Sequence, residues 1–192
     1  MPVVSSEPSV LVDHLHTAFM RESNAYARYA AFAVKAAVEG WPGIASLFRA
    51  VGRSEQIHAG NHGRILHQLG GDTDYHIDSV EARSTQENLN TAIGAEILEV
   101  RTILPEFIEE ARAACDVAAA RTFRWALEAE KTHARLFNEA LARVEVNDRE
   151  SWATMAHDFY VCPVCGYTSE VSSDASLCPT CNCAWTRFEA IR

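Results

Sequence analysis

Apolar side chains recur at alternating spacings of three and four residues through residues 8–146, which is the period of one face of an α-helix. Glycine and proline interrupt this pattern at 40–42, and a glycine pair interrupts it again at 70–71. The pattern predicts four long helices, over about residues 9–38, 42–69, 85–114 and 116–146. The polar stretch 72–84 is long enough to cross a bundle. We therefore predict an all-α four-helix bundle with one long crossover.

Two features of the sequence depart from a bundle of four regular helices. Pro105 lies inside the third helix, where it removes a backbone N–H group, so we expect a kink or local irregularity there. From residue 158 onward the helical period is lost and Gly, Pro, Cys and aromatic residues prevail. We predict a helical domain over 1–146, a linker over 147–157 and a second domain over 158–192. The second domain is too short for a conventional core, so a metal ion must contribute to its folding free energy.

Composition excludes some classes of function. The chain of 192 residues has 26 acidic and 17 basic side chains, a net charge of −9, which argues against a surface for nucleic acid. The sequence has no apolar run of about 18 residues and no basic–apolar leader at its start, so we expect a cytoplasmic protein that does not span a membrane. Five of the six cysteines lie within 162–183, and in a reducing compartment such a cluster is expected to bind a metal ion.

Charged residues lie in the middle of the apolar stripe of every predicted helix. Burial of one unpaired carboxylate costs several kcal/mol, so five inward glutamates require cations. Two iron ions supply +4 or +6 against −5, which nearly cancels the charge in both oxidation states and permits redox cycling. The predicted donors are Glu22, Glu55, His58, Glu96, Glu99, Glu130 and His133.

The spacing within two of these helices is that of metal-binding pairs. Glu55 and His58 are three residues apart, as are Glu130 and His133, so each pair is adjacent on one helical face and can bind one ion. A single such pair is weak evidence, since solvated charges show the same spacing. Two pairs inside apolar stripes, with inward glutamates at matching depth on the other helices, favour a metal site in the bundle core.

The cysteines form two Cys-x-x-Cys turns separated by twelve residues. Backbone N–H groups in such turns can point at the sulfurs, and Gly166 and Asn182 tolerate the left-handed backbone that follows each turn. The four predicted ligands make a tetrahedral thiolate site that suits iron or zinc. They are Cys162, Cys165, Cys178 and Cys181.

Other residues are predicted to lie outside the chemistry on spacing alone. We expect His62 to be a hydrogen-bonded core histidine, Cys115 to be a small buried side chain and Tyr29 to be a packing aromatic. Cys183 is a spare thiol next to the second cysteine turn.

Taken together, these motifs resemble those of the rubrerythrin family, in which a ferritin-like di-iron bundle is joined to a C-terminal rubredoxin-like domain. The likeness covers nearly the whole chain. It rests on the segment ESNAYARY at 22–29, the two Glu-x-x-His pairs, Glu96-x-x-Glu99 with Pro105 downstream, and the segments CPVCGY and CPTC.

The resemblance implies roles for individual residues. Glu55 and Glu130 would bridge two iron ions, and Glu22 and Glu96 would be terminal ligands. His133 would bind one iron, while His58 and Glu99 would alternate on the other. The four cysteines would hold a third iron, and Glu99 and Tyr29 would be catalytic. The family commonly has tyrosine before the proline of the third helix, whereas this chain has Leu104, so Glu99 is expected to be held less firmly here.

The function implied by the resemblance is a peroxidase of oxidative-stress defence that reduces hydrogen peroxide to water. Electrons would come from a separate reductase or rubredoxin through the Fe(Cys)₄ site. A homodimer is expected, with the cysteine domain of one subunit near the di-iron site of the other. Two alternatives stay open: a ferroxidase or iron-handling protein, and a non-catalytic adaptor with a zinc ribbon.

Overall fold

The computed structural model describes residues 10–148, 150–170 and 176–192. Its helices are α1 (Val10–Val38), α2 (Pro42–Gln68), α3 (Thr85–Leu98), α4 (Leu104–Ala113) and α5 (Val117–Glu145). A π-helical turn, Glu99–Ile103, joins α3 and α4 into one rod. The predicted bundle of four rods is therefore confirmed, and the segment between α2 and α3 is the predicted crossover.

Local sequence signals explain where the helices end. Gly40 has φ of 80°, and the Trp41 N–H bonds to the Ala36 carbonyl at 2.9 Å, which closes the last turn of α1 before Pro42 opens α2. Ser84 begins α3 with a capping box in which its side chain and that of Glu87 satisfy each other's backbone N–H groups.

The π-helical turn is the irregularity that Pro105 predicts. Proline has no N–H group, and its ring would clash with the carbonyl oxygen four residues earlier in a regular helix. The Leu104 N–H instead bonds to the Glu99 carbonyl five residues earlier, which widens the turn. Glu99 begins this widened segment, so its backbone position differs from that of a regular helical residue.

Apolar residues form two clusters, one toward each end of the bundle. One cluster includes Tyr29, Phe48 and Phe137, with ring centroids of the two phenylalanines 5.2 Å apart. The other includes Leu15, Leu66, Phe107 and Phe123. Along every rod the sequence passes from one cluster to the other through its inward carboxylates, so these carboxylates lie in a polar layer between two apolar ones.

The C-terminal region forms a three-stranded antiparallel sheet of order β2-β1-β3. Its strands are β1 (Phe159–Val161), β2 (Thr168–Ser169) and β3 (Glu189–Ile191). Several interactions attach this region to α2; among them, Arg53 pairs with Glu189 at 2.7 Å, and Asn61 donates to the Val164 carbonyl at 2.9 Å. The fold class predicted from the sequence is confirmed in both parts.

Gly43 permits the segment before the sheet to approach α2. A Cβ atom at this position would lie 2.0 Å from the carbonyl oxygen of Trp152.

Cys115 is exposed, with φ of 54° in the turn between α4 and α5, so the expectation that it is buried is wrong. In the described part of the chain, no helix is both long and apolar enough to span a bilayer.

Candidate metal centre

All seven side chains predicted to bind metal in the bundle are buried and meet in the polar layer. Donor atoms of six of the seven, all except Glu99, form two overlapping groups, each with all donors within 4.8 Å of one another. Glu55 and Glu130 belong to both groups, which is the arrangement that two bridging carboxylates require. The first group adds Glu22 and His58, and the second adds Glu96 and His133. Glu99 lies beside them on the π-helical turn.

The orientation of His58 is fixed by the C-terminal region. Its Nε2 atom lies 3.1 Å from the carbonyl oxygen of Cys165, which can only accept, so Nε2 carries a proton and donates. Nδ1 therefore faces the carboxylates, 3.0 Å from Glu55 Oε2 and 2.9 Å from Glu130 Oε1. The hydrogen bond from Nε2 to the Cys165 carbonyl thus leaves Nδ1 as the nitrogen that can bind a metal ion, and it turns Nδ1 toward the carboxylates.

His133 is oriented in the same way by a different partner. Thr168 Oγ1 donates to the Gly166 carbonyl at 3.0 Å, so it accepts from His133 Nε2 at 3.2 Å. Nδ1 of His133 then faces Glu130 Oε2 at 2.8 Å. Burial lowers the pKa of His133, but the Glu130 carboxylate outweighs it and the pKa rises to about 9. A cation among these groups therefore supplies the attraction that a proton on Nδ1 otherwise provides.

The carboxylates carry the electrostatic signature of a cation site. Burial, followed by neighbouring carboxylates, raises the pKa of Glu22 and of Glu96 well above the usual range. Within the described residues, the buried Oε1 atoms of Glu55 and Glu130 have no hydrogen-bond partner. Nδ1 of His58 lies 2.9 Å from Glu130 Oε1, but in a neutral ring protonated at Nε2 it has no proton to donate. Buried oxygens without donors are costly unless cations satisfy them. The chain thus has carboxylate and imidazole donors that suit two iron ions.

Glu99 differs from the other donors because it borders a cleft. The cleft has a volume of about 530 Å³ and reaches Glu22, Tyr29, Glu55 and Glu96. Arg21 lies in its wall and forms an ion pair with Glu99 through Nε. Burial raises the pKa of Glu99 and Arg21 opposes that rise, which leaves the pKa at about 7.

The ion pair between Arg21 and Glu99 changes the expectation that Leu104 leaves Glu99 less firmly held. Leu104 is fully buried within the second apolar cluster, so it offers Glu99 no hydrogen bond. Arg21 instead provides Glu99 with a partner from α1. Sequence reasoning missed Arg21, although one signal was present: a cationic residue directly precedes the inward Glu22.

Tyr29 and His62 adjoin the cluster. The Tyr29 hydroxyl donates to Glu96 Oε1, so this ring does more than pack, and burial raises its pKa well above the usual range. His62 is buried, with Nδ1 3.3 Å from Thr122 Oγ1. Burial, followed by the His58 charge, lowers the pKa of His62 to about 3, so this ring is neutral as a core histidine should be.

The four cysteines also come together as the sequence predicts. Sγ of Cys162 lies 3.5 Å from Sγ of Cys181, and Sγ of Cys165 lies 3.6 Å from Sγ of Cys178. These separations approach the roughly 3.8 Å edge of a tetrahedron with metal–sulfur bonds of about 2.3 Å, and they are far too long for disulfides. The region thus has the donor set for one further iron ion.

The backbone of the two cysteine turns follows a common pattern. N–H groups of Val164 and Cys165 donate to the Cys162 sulfur, and those of Thr180 and Cys181 donate to the Cys178 sulfur. The residues after the turns, Gly166 and Asn182, have φ of 79° and 59°. The predicted left-handed positions are therefore confirmed.

The cysteine site and the carboxylate cluster are in direct contact through the chain's own backbone. Cys165 supplies a sulfur to one and, through its carbonyl, a hydrogen-bond acceptor to His58 in the other. Gly166 allows this approach, because a Cβ atom there would lie 2.3 Å from His58 Nε2. Neither this contact nor that of Thr168 can be deduced from spacing along the sequence.

Comparison with known proteins supports the assignment of these two clusters as metal sites. The family model described as Rubrerythrin matches residues 13–141. Rubrerythrin-2 of Clostridium acetobutylicum is 34% identical over 97% of this chain and 100% of its own length. Nigerythrin of Nitratidesulfovibrio vulgaris is 30% identical over 88% of this chain and 81% of its own length.

Solved structures extend the likeness to three dimensions. The fully reduced, all-ferrous state of nigerythrin superimposes with a TM-score of 0.82 and 30% identity, covering 98% of this chain and 91% of that one. The match covers both the bundle and the cysteine region, and each of these regions has a cluster of metal-binding side chains. We conclude that the chain belongs to the rubrerythrin family.

Proposed function

We propose that the protein is a di-iron peroxidase that reduces hydrogen peroxide to two waters, with electrons relayed through the Fe(Cys)₄ site. The observation that carries this proposal is the hydrogen bond between His58 Nε2 and the Cys165 carbonyl, at 3.1 Å. This contact links a thiolate site suited to single-electron transfer with a cluster suited to a two-electron reaction. Storage of iron alone gives no reason for such a contact.

The residue roles follow from the contacts in the cluster. We assign Glu55 and Glu130 as bridging ligands, because their oxygens belong to both donor groups. Glu22 and Glu96 would be terminal ligands. His133 would bind one ion through Nδ1, and His58, also through Nδ1, would alternate with Glu99 on the other, since Nδ1 is the nitrogen turned toward the carboxylates in both rings. The four cysteines hold the third iron. The iron ions, when bound, supply the electrons for cleavage of the O–O bond.

The cleft gives the substrate a route to this centre. Glu99 lines it and lies next to the cluster, so its carboxylate can leave Arg21 and approach the ions. Tyr29 holds a proton on its hydroxyl against Glu96 Oε1, and burial keeps that proton in place. We assign Glu99 as the mobile carboxylate and Tyr29 as the group that orients Glu96 beside the substrate.

We further propose a cytoplasmic homodimer that takes electrons from a rubredoxin or another reductase as part of oxidative-stress defence. The cysteines of this chain form no disulfide in the structure, which suits a reducing compartment. Within one chain the cysteine region contacts its own bundle. Exchange of this region between two chains, around a hinge within 147–157, would form the same contacts across a dimer.

Stopped-flow spectroscopy tests the proposed activity. The iron-loaded protein is reduced without oxygen and mixed with hydrogen peroxide or, separately, with O₂, while the thiolate-to-iron absorbance is followed. We expect peroxide to restore that absorbance much faster than O₂ does. Faster reaction with O₂, together with ferric mineral, would identify a ferroxidase. Zinc in the cysteine site of protein grown with adequate iron would instead favour the adaptor.

A matched variant isolates the relay. Cys178→Ser removes one ligand of the thiolate site and leaves the bundle donors in place. We expect peroxide to oxidise the pre-reduced bundle at the normal rate in this variant, while repeated turnover with an external donor is lost. Full turnover in the variant would disprove the relay but leave the peroxidase reaction intact.

A further inference from the structure

A groove of about 970 Å³ lies on the surface between α4, α5 and the second cysteine turn. Its apolar lining includes Ile108, Trp125 and Leu127 from the helices. Pro179 and Thr180, which separate Cys178 from Cys181, line it from the cysteine region. It shares no lining residue with the cleft at Glu99, so it is a separate surface from the proposed substrate route.

The charge of the groove is opposite to that of the protein. Five cationic side chains and two carboxylates line it, which gives it a net charge of +3, whereas the whole chain has a net charge of −9. A cationic surface on an acidic protein attracts acidic molecules locally and accelerates their encounter. The cationic residues are Arg112, Arg121, Arg124, Lys131 and Arg135.

Two of these cations have no acidic partner among the residues that the structure describes. Three others form ion pairs at 2.5–2.7 Å, with Glu109, Glu128 and Glu139. Arg121 and Arg124 are exposed and form no such pair. The Arg121 guanidinium lies 5.3 Å from the ring centroid of Trp125, which holds it over the apolar lining. These two arginines are therefore free to pair with carboxylates of another molecule.

The groove also borders the thiolate site. Trp125 packs against the cysteine cluster. Among the four proposed ligands, Cys181 is partly exposed, whereas the other three are buried. A redox protein seated in the groove would lie against the turn that carries this partly exposed cysteine. The unpaired arginines and the approach to the thiolate site thus lie on the same surface.

We propose that this groove docks an acidic one-electron carrier protein, whose carboxylates pair with Arg121 and Arg124 while its redox centre lies against the Cys178–Cys181 turn. The inference rests on the proposed function, since it assumes that the thiolate site receives electrons. In each encounter the carrier loses one electron and the ferric thiolate site gains it, and no covalent bond forms or breaks. Two encounters supply the two electrons for one peroxide.

The experiment measures this transfer alone, with no peroxide present. Oxidised holoprotein is mixed in an anaerobic stopped-flow instrument with a reduced acidic ferredoxin, and bleaching of the thiolate-to-iron absorbance gives a second-order rate constant. For the double variant Arg121→Glu, Arg124→Glu we expect this constant to fall about tenfold or more at low ionic strength. The native rate should also fall with added salt, and the variant's rate should respond much less.

Controls separate docking from a general charge effect. Arg83→Glu with Arg143→Glu makes the same change of charge at exposed arginines outside the groove, and the rate should stay within about twofold. Arg121→Lys with Arg124→Lys should retain most of the native rate. Reduced methyl viologen, a small donor, should reduce the double Glu variant at the native rate, which shows that its thiolate site is intact.

Several results would overturn the proposal. An unchanged ferredoxin rate in the double Glu variant means that the carrier binds elsewhere. A change of oligomeric state in that variant, measured by analytical ultracentrifugation, means that a second copy of this chain covers the groove. Slow oxidation of the pre-reduced protein by peroxide, with the ferredoxin results as expected, would instead contradict the proposed peroxidase function and leave the docking surface standing.

Discussion

The two sides of the carboxylate cluster are built in different ways. On the side of α2 and α5, His58 and His133 are each held from behind, by the Cys165 carbonyl and by Thr168. On the side of α1 and α3, Glu99 lies on a π-helical turn, borders a cleft and is held by one arginine from α1, Arg21. The first side is fixed by the C-terminal region, and the second is open to small molecules. This difference is consistent with the proposed function, in which electrons reach the centre from one side and substrate from the other.

The same difference appears in the backbone. Regular helix at 55–58 and 130–133 places each glutamate and histidine three residues apart on one face, so their relative positions are set by helix geometry. Glu96 and Glu99 have the same spacing, but Glu99 begins the π-helical turn and departs from that geometry. π-Helical turns frequently occur at functional sites, and here the turn carries the carboxylate to which we assign movement.

Glu130→Gln tests the fixed side and should have the largest effect. Glu130 belongs to both donor groups, so its loss removes a charged ligand from each proposed ion. We expect iron to fall from three to one per chain. Metal analysis, with the thiolate-to-iron absorbance as a measure of the remaining ion, checks this result. Glu128→Gln, at an exposed position on the same helix, should retain three, and retention of three in Glu130→Gln would remove Glu130 as a bridging ligand.

Gly166→Ala should separate the two sites without emptying them. The added Cβ atom would lie 2.3 Å from His58 Nε2, and φ of 79° disfavours alanine, so the cysteine region must shift away from α2. We expect both metal sites to stay loaded, while electron transfer from the thiolate site to the bundle slows about 100-fold. Rapid-mixing kinetics of pre-reduced protein measure this rate.

Gly60→Ala is the matched control for that variant, because nothing lies within 4 Å of its added Cβ atom. The control should transfer electrons at the native rate. Native transfer in Gly166→Ala as well would show that the contact at His58 is not the route.

Glu99→Ala tests the open side and should have a smaller effect on metal binding. The fixed donors remain, so fold and iron content should be largely retained, while peroxide turnover falls about tenfold to 100-fold. Glu106→Ala, an exposed position on α4, serves as the control. Peroxide kinetics at matched iron content measure the effect. Turnover equal to that of the native protein would exclude the mobile role assigned to Glu99.

The sequence predicts the donors better than their surroundings. Inward glutamates on every rod follow from helical periodicity, and the cysteine site follows from two local turns whose left-handed residues are recognisable. The partners of His58, at Cys165, and of His133, at Thr168, depend on how a distant segment packs against the bundle. Such contacts join residues 107 and 35 positions apart, which periodicity does not address. Arg21 was missed for a related reason, because its partner lies 78 positions away.

Arg21→Gln should have the smallest effect, and it tests whether the arginine restrains Glu99. The side chain of Arg21 is 35% exposed, so water screens the pair and the attraction is moderate. Without it, Glu99 is freer to bind metal, and we expect iron(II) affinity of the bundle to rise by about twofold to fivefold. Isothermal titration of the metal-free protein measures this affinity directly. Arg21→Lys should stay near the native value because the positive charge remains. A lower affinity in Arg21→Gln would mean that the arginine orients Glu99 toward the ions instead of holding it away.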